Sequence, residues 1–342
     1  MGESGTGAGG LLPQRHPQMD FFLCDIFDAI PKDDMASMEH PLFSLATRPD
    51  RRILRYVHRG AEIEVIPSVK GLATIHDKDI LIFCISQLMA ALNMGREVSR
   101  TLTLRAHDLL VATNRETSGD AYRRLRDAFD RLAGTRVTTN IATGAQETTT
   151  GFGLIESWQI VRRTPPGRKG GGRMVSVTVT LSEWLFRAVL SKSVLTLSRD
   201  YFRLRKPLER RIYEIARKHC GRQESWRVSL DTLLVKSGST SPRRVFRRMI
   251  RDMIASNHLP DYELAEEGAD VIRVTPRAAR LAPGEAPALA PGTLEEARAL
   301  APGWDVYALQ ADWHAYWARS GRPRLRAPDR AFLGFVRRAV QG

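Results

Sequence analysis

Apolar residues in the first hundred positions follow two different rhythms. Over 76–94 they recur at steps of three and four residues and stop before Gly95, which predicts a buried helix with a glycine end. Over 53–66 two β-type runs flank a short polar turn, which predicts a hairpin. The apolar positions of 20–30 have roughly helical spacing, so this segment is expected to be a docking helix for its own domain or for a partner.

The pattern repeats at a fixed offset. Adding 124 to a residue number carries a series of apolar positions between 102 and 129 onto apolar positions between 226 and 253 without a gap. Each copy then has a long helix, a β-like run, a short helix, a polar turn and a long arginine-bearing helix. In the first copy the first four of these segments are 76–94, 101–104, 107–112 and 113–119, and the arginine-bearing helix follows. In the second copy they are 206–220, 226–230, 231–236 and 237–241, again followed by the arginine-bearing helix.

Two β-rich segments follow each arginine-bearing helix, at 151–163 and 173–181 and again at 262–265 and 271–275. A helix-turn-helix closed by a hairpin is a winged helix, whose second helix can enter the major groove. The sequence therefore predicts an α+β chain with two tandem winged-helix domains and a small C-terminal α-helical module.

Composition along the chain places the domain boundaries. A Pro/Ala-rich stretch without periodicity is typical of a linker. The aromatic residues beyond it predict two short helices. These helices either pack their own tryptophans or dock a partner protein. The predicted divisions are a flexible tail with the apolar docking segment at 1–38, winged-helix domain 1 at 39–185, winged-helix domain 2 at 186–280, a linker at 281–295 and the C-terminal module at 296–342.

The charge balance points to a polyanionic partner. The chain has 52 Lys plus Arg against 38 Asp plus Glu, a net charge of +14. Of this surplus, 191–260 carries 17 basic and 6 acidic residues, a net +11. No apolar run is long enough for a membrane helix, no secretory signal pattern opens the chain, and only three cysteines occur. A cytoplasmic protein with no membrane association is expected.

One helix of the second copy concentrates this charge. Its arginines fall within an arc of about 140° opposite an apolar face, after a predicted N-cap at Ser241 and a first helical residue at Pro242. Asp252 is the only acid of the stretch, whereas an ordinary solvated face mixes charges of both signs. Like charges on one face repel unless a polyanion neutralises them, which predicts a DNA-binding surface. Its residues are Arg243, Arg244, Arg247, Arg248 and Arg251.

The first copy carries a weaker form of the same signal. Its helix mixes arginines with Asp127, so its exposed face is either a DNA contact or a surface for dimerisation or domain packing. The glycine-rich basic loop between the predicted wing strands suits phosphate or minor-groove contact, or is a plain flexible tip. The candidates are Arg123, Arg124 and Arg131 on the helix and Arg162, Arg163, Arg168, Lys169 and Arg173 in the loop.

Motifs for catalysis are missing from the sequence. It has no phosphate-binding G-x-x-x-x-G-K-[ST] run, no His-x-His pair and no Cys/His set with zinc spacing. Tyr201 and Tyr213 lack a metal site or positioned base that would make them nucleophiles. The chain is expected to be no enzyme, with no cofactor and no bound metal.

Three segments resemble bacterial plasmid replication initiators of the replication initiator protein A type: Thr101–Leu132, the run from Ser198 to Arg217 and Pro302–Tyr307. The resemblance extends from Met19 to Gly342. It implies binding to repeated origin sites (iterons) on double-stranded DNA, opening of the duplex, and recruitment of the host initiator DnaA and the replicative helicase. It further implies that the second winged helix makes the main groove contacts and that a homodimeric form represses its own gene.

Two other functional classes fit parts of the pattern. A winged-helix transcriptional regulator without a replication role would share the fold and the arginine-bearing helix. Repeats beside the gene would favour an initiator, and scattered target sites would favour a regulator. A DNA nickase or primase would require metal-dependent cleavage or primer synthesis by the purified protein.

Overall fold

The computed structural model consists of short helices that alternate with antiparallel sheets. It describes residues 11–13, 21–24, 41–58, 61–93, 95–143, 146–163, 173–191, 194–198, 200–220, 223–268, 270–277, 286–290, 292–302, 304–319, 325 and 327–341. The pairings between its strands are antiparallel throughout these residues. The chain is α+β, as the sequence predicts.

The helices are α1 (Lys78–Asn93), α2 (Ala106–Ala112), α3 (Gly119–Gly134), α4 (Glu183–Leu190), α5 (Pro207–Cys220), α6 (Leu230–Ser237), α7 (Arg243–Ser256), α8 (Thr293–Leu300), α9 (Val306–Arg319) and α10 (Pro328–Gln341). The strands are β1 (Phe21–Cys24), β2 (Leu54–His58), β3 (Ala61–Ile66), β4 (Thr101–Arg105), β5 (Arg136–Thr143), β6 (Gln146–Gly153), β7 (Ile155–Arg163), β8 (Arg173–Leu181), β9 (Val194–Leu197), β10 (Trp226–Ser229), β11 (Tyr262–Glu267) and β12 (Val271–Pro276). A short 3-10 turn covers Tyr201–Arg203.

Two units of the chain have the same order of elements. The first repeat unit contains α1, β4, α2, α3, β7 and β8, and the second contains α5, β10, α6, α7, β11 and β12. In both units the last strand lies in the middle of a three-stranded sheet, in the order β4-β8-β7 in the first and β10-β12-β11 in the second. The internal repeat inferred from the sequence is therefore confirmed at the level of element order and strand pairing.

The first repeat unit carries a hairpin that the second lacks. Strands β5 and β6 follow α3 and extend the β2–β3 hairpin into a four-stranded sheet in the order β2-β3-β5-β6. The predicted single β-segment over 151–163 is thus wrong, because its first residues belong to β6 and the rest forms β7. This insertion also explains why the 124-residue offset ends with the arginine-bearing helix.

The described part of the N-terminal apolar segment is a strand where a helix was expected, and 25–30 lie outside the described residues. Phe21–Cys24 forms β1 and pairs antiparallel with β9, with Phe21 opposite Leu197. Four consecutive apolar residues fit either period, so the local pattern could not distinguish the two. The pairing partner lies about 170 residues away in sequence and decides the outcome.

Local signals explain where the arginine-bearing helices begin and end. The Ser118 side chain accepts a hydrogen bond from the backbone N–H of Ala121 and caps α3. Helix α7 begins differently from the prediction, because Pro242 occupies the N-cap position and Ser241 lies outside the helix. At its other end Asn257 adopts a left-handed conformation (φ 43°), and its N–H bonds to the carbonyl of Met253.

One continuous apolar core fills both repeat units, whereas α8, α9 and α10 bury a separate one. Trp313, Phe332 and Val336 lie at the centre of this second core. Helix α8 begins at Thr293, inside the predicted linker of 281–295, so the module has one helix more than the two predicted. The side chain of Arg217 on α5 donates to Asp305 at 2.8 Å and ties the module to the second unit.

Buried charges join the start of α1 to α5. Arg210 Nη1 donates to Asp79 Oδ1 at 2.6 Å, and Arg115 Nη2 donates to Asp79 Oδ2 at 2.9 Å. Beside them, Lys78 Nζ donates to Glu214 Oε2 at 2.9 Å. Because α1 belongs to the first repeat unit and α5 to the second, these contacts fix the two units relative to each other.

Candidate nucleic-acid interface

Helix α7 presents two arginines directly away from the protein. It buries Phe246, Ile250 and Met253 against the core. At 100° per residue, Arg244 and Arg248 lie on the opposite side of the helix, and both are exposed. Among the described residues neither forms a hydrogen bond or an ion pair. We call these two residues the outer row.

The other three arginines of α7 point along its flank towards the β11–β12 hairpin. We call Arg243, Arg247 and Arg251 the inner row; they are four residues apart and lie on successive turns. Arg247 Nε and Nη2 donate to the two carboxylate oxygens of Asp270, each at 2.7 Å. Arg251 binds both oxygens of Glu266 in the same way, at 2.8 and 2.9 Å. The hairpin is therefore held against α7 by paired, bidentate contacts.

Acids from three other parts of the second unit neutralise this row. Arg243 Nη2 also donates to Asp270, at 2.7 Å, and its Nε donates to Asp231 on α6. Hydrogen bonds from Arg247, against a smaller opposing effect of burial and with help from Arg243, lower the pKa of Asp270 to about 2. The expectation that all five charges repel unless a polyanion is present is wrong for the inner row. It applies to the outer row.

A depression of about 560 Å³ opens on this side of α7. It is lined by Arg244, Val245, Arg247, Arg248 and Arg251. The outer row and two inner-row residues, Arg247 and Arg251, thus face one space. Among the described residues the outer row is unpaired, whereas Arg247 and Arg251 are held by acids. Such a surface binds phosphate by charge and can present guanidinium donors to a base edge.

The first repeat unit offers a smaller basic surface on α3. Arg123 and Arg124 are exposed and both contact Asp120, one turn earlier on the same helix. Lys70 lies over the middle of the helix face, where its Nζ contacts Asp127 and Asp130. Charges on α3 are therefore mostly compensated.

Arg131 serves the fold instead of an open surface. Its Nε and Nη2 donate to the two oxygens of Asp77 at 2.7 and 2.8 Å, and the Arg131 side chain is 20% exposed. The contact fastens α3 to the turn before α1. The predicted role of Arg131 in a DNA footprint does not fit this position.

Replacing Arg131 by alanine is expected to lower the free energy of unfolding by about 2 to 3 kcal/mol, because Asp77, with a side chain 4% exposed, loses its charged donor. Denaturant unfolding of R131A beside R123A measures this difference. Arg123 is 75% exposed, so its loss should stay within about 0.5 kcal/mol. Equal destabilisation by the two substitutions would show that Arg131 is a surface residue.

The basic loop of the first unit is described only at its two ends. Arg162 and Arg163 are exposed at the end of β7, and Arg173 begins β8 directly opposite Arg163. Arg168 and Lys169 lie outside the described residues.

Four residues at these surfaces escaped the sequence analysis. Arg126 on α3 is exposed, and no described residue pairs with it. The three acids that hold the inner row are Asp231, Glu266 and Asp270. A charge count extended beyond 260 could have found Glu266 and Asp270, since five acids and one arginine follow within 261–276.

No metal-binding group of three His, Cys, Asp or Glu residues occurs within the part of the chain that the structure describes. Among the same residues, no helix combines the length and apolar character needed to cross a membrane.

A family model for replication initiator protein A matches residues 32–264. The chain belongs to the replication initiator protein A family. The matched range contains both arginine-bearing helices and ends within β11, so α8, α9 and α10 lie beyond it.

One relative agrees with that assignment, and one solved structure has a similar fold. A protein of Wigglesworthia glossinidia brevipalpis named "Putative replication protein" is 38% identical over 248 residues, which cover 72% of this chain and 88% of that protein. A crystal structure of domains 2 and 3 of RctB has a TM-score of 0.50 at 17% identity, covering 69% of this chain and 94% of that one. The second similarity concerns the fold alone.

Proposed function

We propose that this initiator binds repeated sites in the double-stranded DNA of a plasmid origin, and that α7 enters the major groove of each site. The observation that carries the proposal is the outer row: two exposed arginines without acidic partners among the described residues, aimed away from the core of a replication initiator. A polyanion is the partner that such charges select, because binding releases the counterions of its phosphates.

Each repeat unit acts in this proposal as a winged helix. Helices α2 and α3, and likewise α6 and α7, form the helix-turn-helix, and the hairpins β7–β8 and β11–β12 form the wings. The second unit supplies the main footprint, because α7 keeps unpaired arginines whereas the charges of α3 are mostly compensated. Arg123, Arg124, Arg162 and Arg163 give the first unit a lesser, phosphate-directed footprint.

Membership of the replication initiator protein A family supports a proposal for the later steps of initiation. The bound protein opens the duplex, recruits the host initiator DnaA and the replicative helicase, and represses its own gene as a homodimer. It does this in the cytoplasm as a binding protein without enzymatic activity. The three-helix module of α8, α9 and α10, which lies outside the family match, is a surface for a host replication protein.

A footprint on DNA flanking the gene tests the proposal. We expect the full-length protein to protect several copies of one sequence, and base unpairing beside them to rise when DnaA and the helicase are added. Protection of scattered, unrepeated sites would favour the transcriptional regulator. Absence of any protected site would contradict the proposed origin binding.

A further inference from the structure

The inner row binds its acids through the same edge of each guanidinium. Arg247 and Arg251 use Nε and Nη2 for the carboxylates of Asp270 and Glu266. A guanidinium has five N–H donors, so each of these two arginines keeps both hydrogens of Nη1 and one of Nη2. The remaining donors lie side by side on the end of the side chain, away from the carboxylate.

That free end has the geometry that reads guanine. In the major groove, guanine presents two neighbouring acceptors, N7 and O6, and arginine meets them with paired donors. Arg247 and Arg251 both line the depression beside α7, which gives a base edge access to them. Arg243 differs, since its Nη2 contacts both Asp231 and Asp270 and its end is less free.

The acids are themselves fixed in place. Asp270 lies in the turn of the β11–β12 hairpin with a left-handed backbone (φ 65°), and its carbonyl accepts the N–H of Leu230 at the start of α6. Glu266 lies within the paired part of β11, opposite Ile272. An arginine held on such a framework loses less side-chain freedom when it binds a base than an unrestrained one does.

Unlike Arg247 and Arg251, the two arginines of the outer row are held by no acidic partner among the described residues. Arg244 and Arg248 can follow a phosphate in many orientations, and phosphate contacts carry no sequence information. The two rows of one helix therefore differ in the contact that each suits.

We propose that Asp270 and Glu266 are specificity-positioning residues, which hold Arg247 and Arg251 so that each guanidinium reads one guanine, while Arg244 and Arg248 bind phosphate. This inference rests on the proposed DNA-binding function of α7. It assigns the acidic hairpin a part in sequence recognition, in addition to its neutralisation of charge.

Selection of duplexes by full-length protein tests the assignment. The probe is a pool of 40-base-pair duplexes with 20 randomised positions, presented to wild-type protein, D270N, E266Q and E267Q. Glu267 is the matched control, because it adjoins Glu266 on the same strand but pairs with Arg227 and Arg273, away from α7. Asparagine tolerates the left-handed backbone of position 270, so D270N keeps the turn.

We expect wild-type protein and E267Q to select the same sequence. D270N and E266Q should each lose about tenfold of the preference for one G·C pair, at different positions, because the reading arginine is no longer oriented. Their affinity for the unselected pool should stay equal or rise, since each removes a negative charge. A merely neutralising role of the acids would not change the base preference.

Two contrary outcomes are distinguishable. If wild-type protein selects a sequence and both D270N and E266Q select it equally well, the positioning role is overturned and the proposed function stands. If wild-type protein selects no sequence, the proposed sequence-specific function fails and the positioning role fails with it. Thermal unfolding of the three variants shows whether any of them is misfolded. If D270N does not fold, E266Q by itself still tests the positioning role.

Discussion

Replacing Asp79 by alanine is expected to lower the free energy of unfolding by about 3 to 5 kcal/mol, the largest effect on stability that the structure indicates. The Asp79 side chain is 1% exposed and accepts from Arg210 and Arg115. Arg210 is nearly as buried, and it also donates hydrogen bonds to the carbonyls of Phe202 and Leu204. Without Asp79, Arg210 loses the carboxylate that it contacts directly inside the protein.

Denaturant unfolding of D79A beside D127A measures this effect. Asp127 makes an exposed ion pair with Lys70, so its loss should cost at most about 1 kcal/mol. A difference of less than about 1 kcal/mol between the two variants would mean that water reaches Arg210 and that the buried contact does not hold the two units.

The same carboxylate predicts a dependence on pH. Burial alone would raise the pKa of Asp79, but the neighbouring charges of Arg210 and Arg115 outweigh it and lower the pKa. A lowered pKa in the folded state gives stability that is present above the unfolded value, about 3.9, and is lost as the pH falls through the folded value. The acid-induced loss of stability should therefore be smaller in D79A than in wild-type protein.

This contact bears on function because it lies between the repeat units. Lys78 and Asp79 stand at the start of α1, and their partners stand on α5. Helices α3 and α7 follow within the same two units and share one continuous core. The spacing of the two proposed DNA footprints is thus set by packing and buried charge together.

Sequence periodicity was sufficient for those parts of the fold that depend on near neighbours. The repeat, the arginine-bearing helices and the final hairpins could be predicted because apolar spacing and turn residues act over a few positions. Strand β1 could not, since its β pairing depends on β9, far along the chain. The inserted β5–β6 hairpin was missed because nothing corresponding to it exists in the second copy.

In the candidate site too, the sequence predicts what depends on near neighbours but not what depends on distant residues. The stripe on α7 could be read from a helical wheel, but its partition into two rows depends on acids from other elements. Asp270 follows Arg247 by 23 residues and Asp231 precedes Arg243 by 12, so only the folded hairpin and α6 bring them together. A charge count along the chain records all five arginines as equal, whereas the fold leaves two unpaired among the described residues.

Replacing both Arg244 and Arg248 by alanine is expected to weaken binding to origin DNA by roughly 100-fold at physiological salt, at about 1.4 kcal/mol for each lost contact with phosphate. The slope of log affinity against log salt should become shallower by about two units, because two fewer counterions are released. Titration of a labelled origin duplex at several salt concentrations measures both quantities.

The double variant R337A/R338A is the matched control, since it removes two adjacent exposed arginines from α10 in the C-terminal module. It loses the same net charge, so a general effect of charge would change its binding equally. Unfolding of R244A/R248A should match wild-type protein, because neither side chain has a partner among the described residues to lose. Equal salt slopes for the two double variants would place the DNA elsewhere than on α7. A shallower slope for R244A/R248A alone, with its sequence preference intact, would separate the outer row that binds phosphate from the inner row that reads bases.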